Sequence, residues 1–206
     1  MKKTLLTLCA AVLAATVFAQ DIKLPAPDKT GGKSIMQCLA ERKTGRSFNP
    51  SAKLTDKQLS NLLYAACGYN RAEKRTIPTA RNFQDLLLYV ALPSGTYLYD
   101  AKANVLKMVV PGDHRDVFGK QKSMFKSASA VLIYVSDFAK MKRADNPAVY
   151  AAAHTGSAYQ DVYLVCASEN LSTVICGLVD REKIASFLKL KRDCKVQFTQ
   201  PVGVPK

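Results

Sequence analysis

The sequence predicts an α+β domain with helices first, a mixed sheet in the middle and one long central helix. Three observations carry that expectation. Two segments with helix-capping signals, at Ser34 and at Thr55, precede any strand pattern. The runs Leu86 to Leu92 and Ala130 to Ser136 are almost wholly apolar, as strands covered on both faces are. From Pro147 to about Asn170, apolar residues nearly encircle a helical pattern, which therefore needs cover on every side.

The first nineteen residues stand apart from this domain. Lys2 and Lys3 precede an apolar run, Thr4 to Phe18, and Val17-Phe18-Ala19 places small residues at −3 and −1 of a cut after Ala19. That is the pattern of a secretory signal peptide, and the run is shorter than the ~20 residues that span a bilayer. Leu8 before Cys9 argues against a lipid-anchor site. The expectation is an exported protein, in a bacterial periplasm, with no integral membrane segment after cleavage. Residues 20–33, with Pro25, Pro27, Gly31 and Gly32, read as a flexible lead-in, and 34–206 as one domain.

The whole chain has a formal charge of +14, and the leader contributes two lysines and no acid to it. The basic residues are scattered, with no run of five and no interleaved aromatics, so a nucleic-acid module is not expected. Outside the leader the cysteines are Cys38, Cys67, Cys166, Cys176 and Cys194, an odd number with no C-x-x-C pair. Neither His114 nor His154 stands at metal-ligand spacing from a cysteine, and buried thiols are expected rather than a disulfide framework.

In chain order, Ser34 opens a helix that the pattern carries to about Gly45. Thr55 and Gln58 form a capping box for a second, stopped at Gly68. A polar loop, 69–84, leads into the strand at Leu86. Pro93-Ser94-Gly95 turns into Thr96 to Asp100, and Val105 to Val110 continues an antiparallel meander. A helical patch at Asp116 to Lys126 precedes the strand at Ala130. Asn146 and Pro147 start the central helix, roughly 36 Å long at ~1.5 Å per residue. Thr173 to Val179 reads as a strand, Asp180 caps a helix to Leu190, and Lys195 to Thr199 is a last strand before Pro201.

Three short segments could carry chemistry. Arg42 and Arg46, four apart at a helix end with the Thr44 hydroxyl between them, form a phosphate-binding pattern; basic residues also answer a helix C-terminal dipole. Asn82 and Gln84 sit where the loop meets the buried strand, and can match alternating donors and acceptors or simply satisfy loop backbone. Gly156, inside the central helix, costs about 1 kcal/mol relative to alanine, which a close approach by a backbone or a planar ring would explain. The Gly156-Ser157 pair lacks the order of a hydrolase elbow, and His154 and Asp161, seven apart, form no relay by themselves.

These segments resemble the signatures of the nitroreductase family of flavin mononucleotide (FMN) oxidoreductases. Arg42-Lys43-Thr44-Gly45-Arg46-Ser47-Phe48 is similar to the family's opening motif, and Pro78-Thr79-x-x-Asn82-x-Gln84 to its second. Gly156, Gln160 and Leu164 fit its central-helix pattern. Gly95 to Asp100, with Gly112-Asp113 and the ending Val202-Gly203-Val204-Pro205, resembles the SagB-type dehydrogenase branch. The resemblance implies a mainly antiparallel sheet flanked by helices, a homodimer joined through the central helices, and FMN at the subunit interface. It assigns Arg42, Lys43, Thr44 and Arg46 to the phosphate and ribityl tail. Asn82 and Gln84 go to the ring, with the backbone of Ile175, Cys176 and Gly177 nearby and Lys206 as a terminal basic contact. Arg81 and Val204 depart from the family pattern. The implied reaction is ping-pong, from a small reduced donor to an organic acceptor such as a nitro compound or quinone. Alternatives are an exported, non-catalytic flavin-binding protein, or a basic protein that binds anionic surfaces.

Overall fold

The computed structural model describes residues 20–206; the proposed signal segment, 1–19, lies outside the described residues. A seven-stranded sheet runs through the middle of the domain in the order β1-β6-β5-β4-β7-β9-β8. The strands are β1 (Ile22–Lys23), β4 (Leu86–Leu92), β5 (Gly95–Asp100), β6 (Val105–Pro111), β7 (Ala130–Asp137), β8 (Ser172–Thr173) and β9 (Cys194–Gly203). Every pairing among them is antiparallel, a more uniform arrangement than the mixed sheet expected. A separate hairpin is formed by β2 (Tyr69–Arg71) and β3 (Lys74–Arg75).

The continuous apolar runs of β4 and β7 serve two faces at once. Strand residues alternate sides, so Leu86, Leu88, Val90, Leu132 and Tyr134 join α2 (Asp56–Cys67) and α4 (Pro147–Ser168) in one core. Tyr89, Ala91, Val131, Ile133 and Val135 face the other way, onto Phe118, Phe125 and, from α5 (Arg181–Phe187), Ile184. The helical patch expected at Asp116 to Lys126 is divided into a 3₁₀ turn, Arg115–Phe118, and α3 (Lys122–Ser127).

The helix starts follow local chemistry. Ser34 and Thr55 both make capping boxes, with Gln37 and Gln58. The Asn146 side chain accepts from Val149 N, with Pro147 in the first turn, and Asp180 accepts from Lys183 N. The ends and edges differ from expectation. The lead-in is tied down: β1 pairs with β6, Leu24 is buried, and Asn104 donates to Pro25 O at 2.8 Å. The last strand continues through Pro201. Val174 N donates to Pro201 O at 3.4 Å, and the proline, having no N–H, returns nothing, so the gap falls on the outer side of β9. That one-sided contact also interrupts the strand expected at Thr173 to Val179, which survives as β8 and an isolated bridge between Cys176 and Thr199. All five cysteines of the described residues are free thiols, four of them buried.

Candidate functional site

α1 (Ile35–Glu41) ends earlier than its pattern suggests. Arg42, at φ −56° and ψ 122°, is already extended. Tertiary bonding draws the chain out of the helix: Gly45 N donates to Thr173 O at 2.9 Å. A Cβ on Gly45 would stand 1.9 Å from Ser172 Oγ and 3.2 Å from its Cβ, so a larger residue at this approach to β8 would require the serine hydroxyl to turn away. Arg42, Thr44 and Arg46 are therefore related by the two-residue period of an extended chain, not by a helical turn.

Tyr163, on α4, anchors this segment. Its hydroxyl lies 3.2 Å from Thr44 Oγ1 and accepts from Ile175 N at 3.0 Å, while the Arg42 guanidinium carbon is 5.3 Å from its ring centre. Burial pushes the Cys176 thiol pKa up, and the nearby Arg46 charge opposes that shift. The structure thus brings Arg42, Thr44 and Arg46 together with Ile175 and Cys176, and Gly177 follows directly. Among the described residues, none of Arg42, Lys43 and Arg46 is in an ion pair. Lys43 lines a cavity of about 360 Å³ with Tyr163, Ser172, Pro205 and Glu41, whose carboxylate is paired to Lys33 at 2.6 Å. Lys206, exposed, follows Pro205, which bridges to Phe48.

Asn82 and Gln84 are held in a different way. Their loop carries left-handed backbone at Arg81 (φ 48°), Asn82 (φ 56°) and Gln84 (φ 48°), a conformation that costs on the order of 1 kcal/mol per non-glycine residue. Both amides are engaged within the chain. Gln84 Nε2 donates to Glu73 O at 2.8 Å and to Asn82 Oδ1 at 3.1 Å, and Tyr69 donates to Gln84 Oε1 at 3.1 Å. Asn82 Nδ2 reaches Glu73 O only at 3.5 Å.

Below the loop lies a buried pair. His154 Nδ1 is 2.6 Å from Asp85 Oδ1, and Ala80 N–H donates to His154 Nε2 at 2.8 Å. Because Nε2 accepts a backbone proton it carries none of its own, so the hydrogen-bond pattern assigns a neutral imidazole whose Nδ1–H donates to Asp85. Asp85 is fully buried, and its Oδ2 has no partner. The partner of His154 is therefore a residue 69 positions away in sequence, not Asp161.

α4 connects the two places. His154 and Tyr163 are nine residues apart, roughly 13 Å along the helix axis. Among the described residues, no hydrogen bond or ion pair joins the Arg42–Arg46 segment to the Asn82–Gln84 loop. The encircling apolar pattern is only partly covered: Val149, Ala152 and Ala153 are exposed, and Gly156, Gln160 and Leu164 half-buried. At Gly156 a Cβ would meet nothing nearer than Tyr159 Oη at 3.8 Å, so no contact inside this chain requires a glycine there.

Comparison with known proteins decides the family. The Nitroreductase family model matches residues 39–204. This chain belongs to the nitroreductase family. A crystal structure of a candidate nitroreductase from Ralstonia eutropha superposes with a TM-score of 0.83 at 33% identity, covering 90% of each chain. A candidate nitroreductase of Methanocaldococcus jannaschii is 28% identical over 165 residues, 74% of this chain and 83% of that protein. A Desulfovibrio desulfuricans structure described as a candidate nitroreductase in complex with FMN shares the fold, at TM-score 0.63 and 15% identity over 85% of this chain and 88% of that one. The nitroreductase assignment makes the chain a flavin-type oxidoreductase with a mainly antiparallel sheet flanked by helices.

Reading the sequence of this nitroreductase alone missed Tyr163, Asp85 and the role of His154. Tyr163 offered little signal, being one of three tyrosines on a helix that also carries His154, Gln160 and Asp161. Asp85 offered one, a carboxylate at the start of a strand that is buried on both faces.

Proposed function

We propose that this protein is an FMN-dependent oxidoreductase that passes electrons from a small reduced donor to an organic acceptor, a nitro compound or quinone, in ping-pong order. The observation that carries the reading is the cluster of Arg42, Lys43 and Arg46. Among the described residues none of the three is in an ion pair; Arg42 lies over the Tyr163 ring, Lys43 lines the cavity beside it, and Arg46 is near enough to Cys176 for its charge to act on the thiol. Guanidinium forks, the Thr44 hydroxyl and an ammonium suit a phosphate dianion. Arg42 and Arg46 would grip the phosphate, Lys43 and Thr44 the adjoining tail, with Lys206, next to the cavity-lining Pro205, as a terminal basic contact. Asn82 and Gln84 would meet the ring edge, with the Ile175–Gly177 backbone against it. When bound, the flavin supplies the hydride and electron chemistry.

In this reading the complete site needs two copies. The outward face of α4 runs from Val149 to Ala167, with its middle between Gly156 and Gln160. A two-fold axis crossing that face sets two helices antiparallel, so the His154 end of one meets the Val162 end of the other. The loop carried on His154 in a second copy then faces the Tyr163 cluster of the first. The bare Gly156 lies within this contact and would permit close approach. Export through the 1–19 segment remains part of the proposal; an N-terminus at Gln20 in secreted material would support it, and retention of Met1 would remove it.

The test is direct. The purified protein should carry flavin bands, release FMN on mild denaturation and sediment as a dimer. Stopped-flow mixing with NADH, NADPH or a quinol should bleach the flavin, and a quinone should restore it. Colourless protein that takes up no added FMN would end this proposal. A second reading, a non-catalytic flavin binder, is favoured by the loop amides being engaged already; bound flavin that no donor reduces would establish it.

A further inference from the structure

We propose that the groove between the β2–β3 hairpin and the Thr79–Asn82 turn is a subsite for the negative group of a small aromatic substrate. This assignment rests on the flavin reading above for its role in turnover, but not for its binding chemistry. The groove has a volume of about 270 Å³, and its wall includes Arg71, Lys74, Arg75, Ile77, Pro78 and Asn82. No carboxylate lines it. Glu73, the one acid of the hairpin, is engaged with Lys102, 3.3 Å away, and both line a different cavity.

Arg75 is positioned in advance of any ligand. Its Nη1 donates to Cys67 O at 2.6 Å, and its guanidinium lies 4.3 Å from the centre of the Tyr69 ring. Among the described residues its Nε and Nη2 have no partner, so a planar two-pronged donor is held in place, half-buried, beside the groove. A guanidinium fixed in this way binds a carboxylate, sulfonate or phosphate with little ordering cost. Arg71 contributes only its Nε to Asn70, at 3.3 Å, and Lys74 is in no ion pair among the described residues.

The bland alternative is a solvated basic face. It accounts for the exposed Arg71 and Lys74 but not for Arg75, a half-buried guanidinium held by Cys67 O and the Tyr69 ring with two of its nitrogens unengaged among the described residues. Ile77, buried, and Pro78 supply an apolar wall for the body of the ligand. The space suits one ring with its charged substituent, not a dinucleotide, although it would hold a single phosphate of one. Asn82 belongs both to this wall and to the pair proposed for the flavin ring, so an anion held here sets the rest of its molecule beside that ring.

The test compares 4-nitrobenzoate with uncharged 4-nitrobenzyl alcohol, by calorimetric titration of the wild type and of R71Q/K74Q, each with and without FMN. Nitrobenzoate should bind the wild type about tenfold more tightly than the alcohol at low salt, and the double variant should lose most of that preference. The ratio of kcat/KM for the two acceptors should fall by about the same factor. Flavin-reduction rates then identify the source: a variant slowed with NADPH but not with a quinol places the anion on the donor, and a change confined to nitrobenzoate places it on the acceptor. Lys74→Glu, on an exposed side chain, repeats the test should the double variant melt early. Equal affinity for the two probes in the wild type, or an unchanged preference in both variants, overturns the subsite. A charge preference that persists in protein unable to take up flavin leaves the subsite standing and removes the function proposed above.

Discussion

The Arg42–Arg46 segment and the Thr79–Gln84 loop are both read as flavin contacts, yet they are built on opposite principles. The first has no left-handed residue, and its cations are in no ion pair among the described residues. The second carries three left-handed non-glycine residues, and its amides are engaged by Glu73, Tyr69 and each other. One stores binding capacity in unpaired charge. The other stores shape in a strained backbone clamped from below by Asp85 and His154. The difference teaches that residue type alone does not measure readiness to bind; the donors left unengaged do.

The largest effect should come from the clamp. Asp85→Ala removes the partner of a buried imidazole and should cost about 3 kcal/mol of stability, read from urea unfolding, with faster amide exchange across 79–84. A loss under about 1 kcal/mol would mean the loop holds itself. Next, Arg42→Ala and Arg46→Ala should each cost about 1.5–3 kcal/mol of flavin affinity with little change in melting. Equal losses of affinity and stability would erase the contrast between the two regions.

Smaller effects test the helix between them. Gly156→Ala meets no close atom among the described residues, so it should stabilise a dilute, monomeric sample by about 1 kcal/mol and, in the dimer proposed above, raise the dissociation constant measured by sedimentation. Burial pushes the carboxyl of Asp161 up to about 6, from its usual 3.8. A folded-state pKa above the unfolded one gives stability that is complete below about pH 3.8 and lost as pH rises through 6. Asp161→Asn should therefore be more stable than wild type by about 1 kcal/mol at pH 8, a value reduced by the side chain's partial access to water, and equal to it near pH 4. Denaturant melts at the two pH values decide this.

Much of the fold was legible where chemistry is local. The capping boxes at Ser34 and Thr55, the Asn146-Pro147 start and the two-sided apolar strands all declare themselves within a few residues. What stayed hidden depends on distant partners. α1 stops early because Gly45 pairs with Thr173, β1 exists because β6 offers it an edge, and β9 passes Pro201 because the missing N–H falls on the outer side of the strand. At the candidate site, Arg42, Thr44 and Arg46 were found through their own chemistry. Tyr163, Asp85 and His154 matter for what they touch, and nothing near them in sequence says what that is.

The imidazole beneath the loop has one further consequence. With a peptide proton entering one nitrogen and a carboxylate facing the other, this ring has no free site for proton exchange unless the turn above it lets go. In the oxidoreductase proposed above, His154 would then act by holding the loop, and hydrogen ions taken up with the electrons would travel by routes other than this ring.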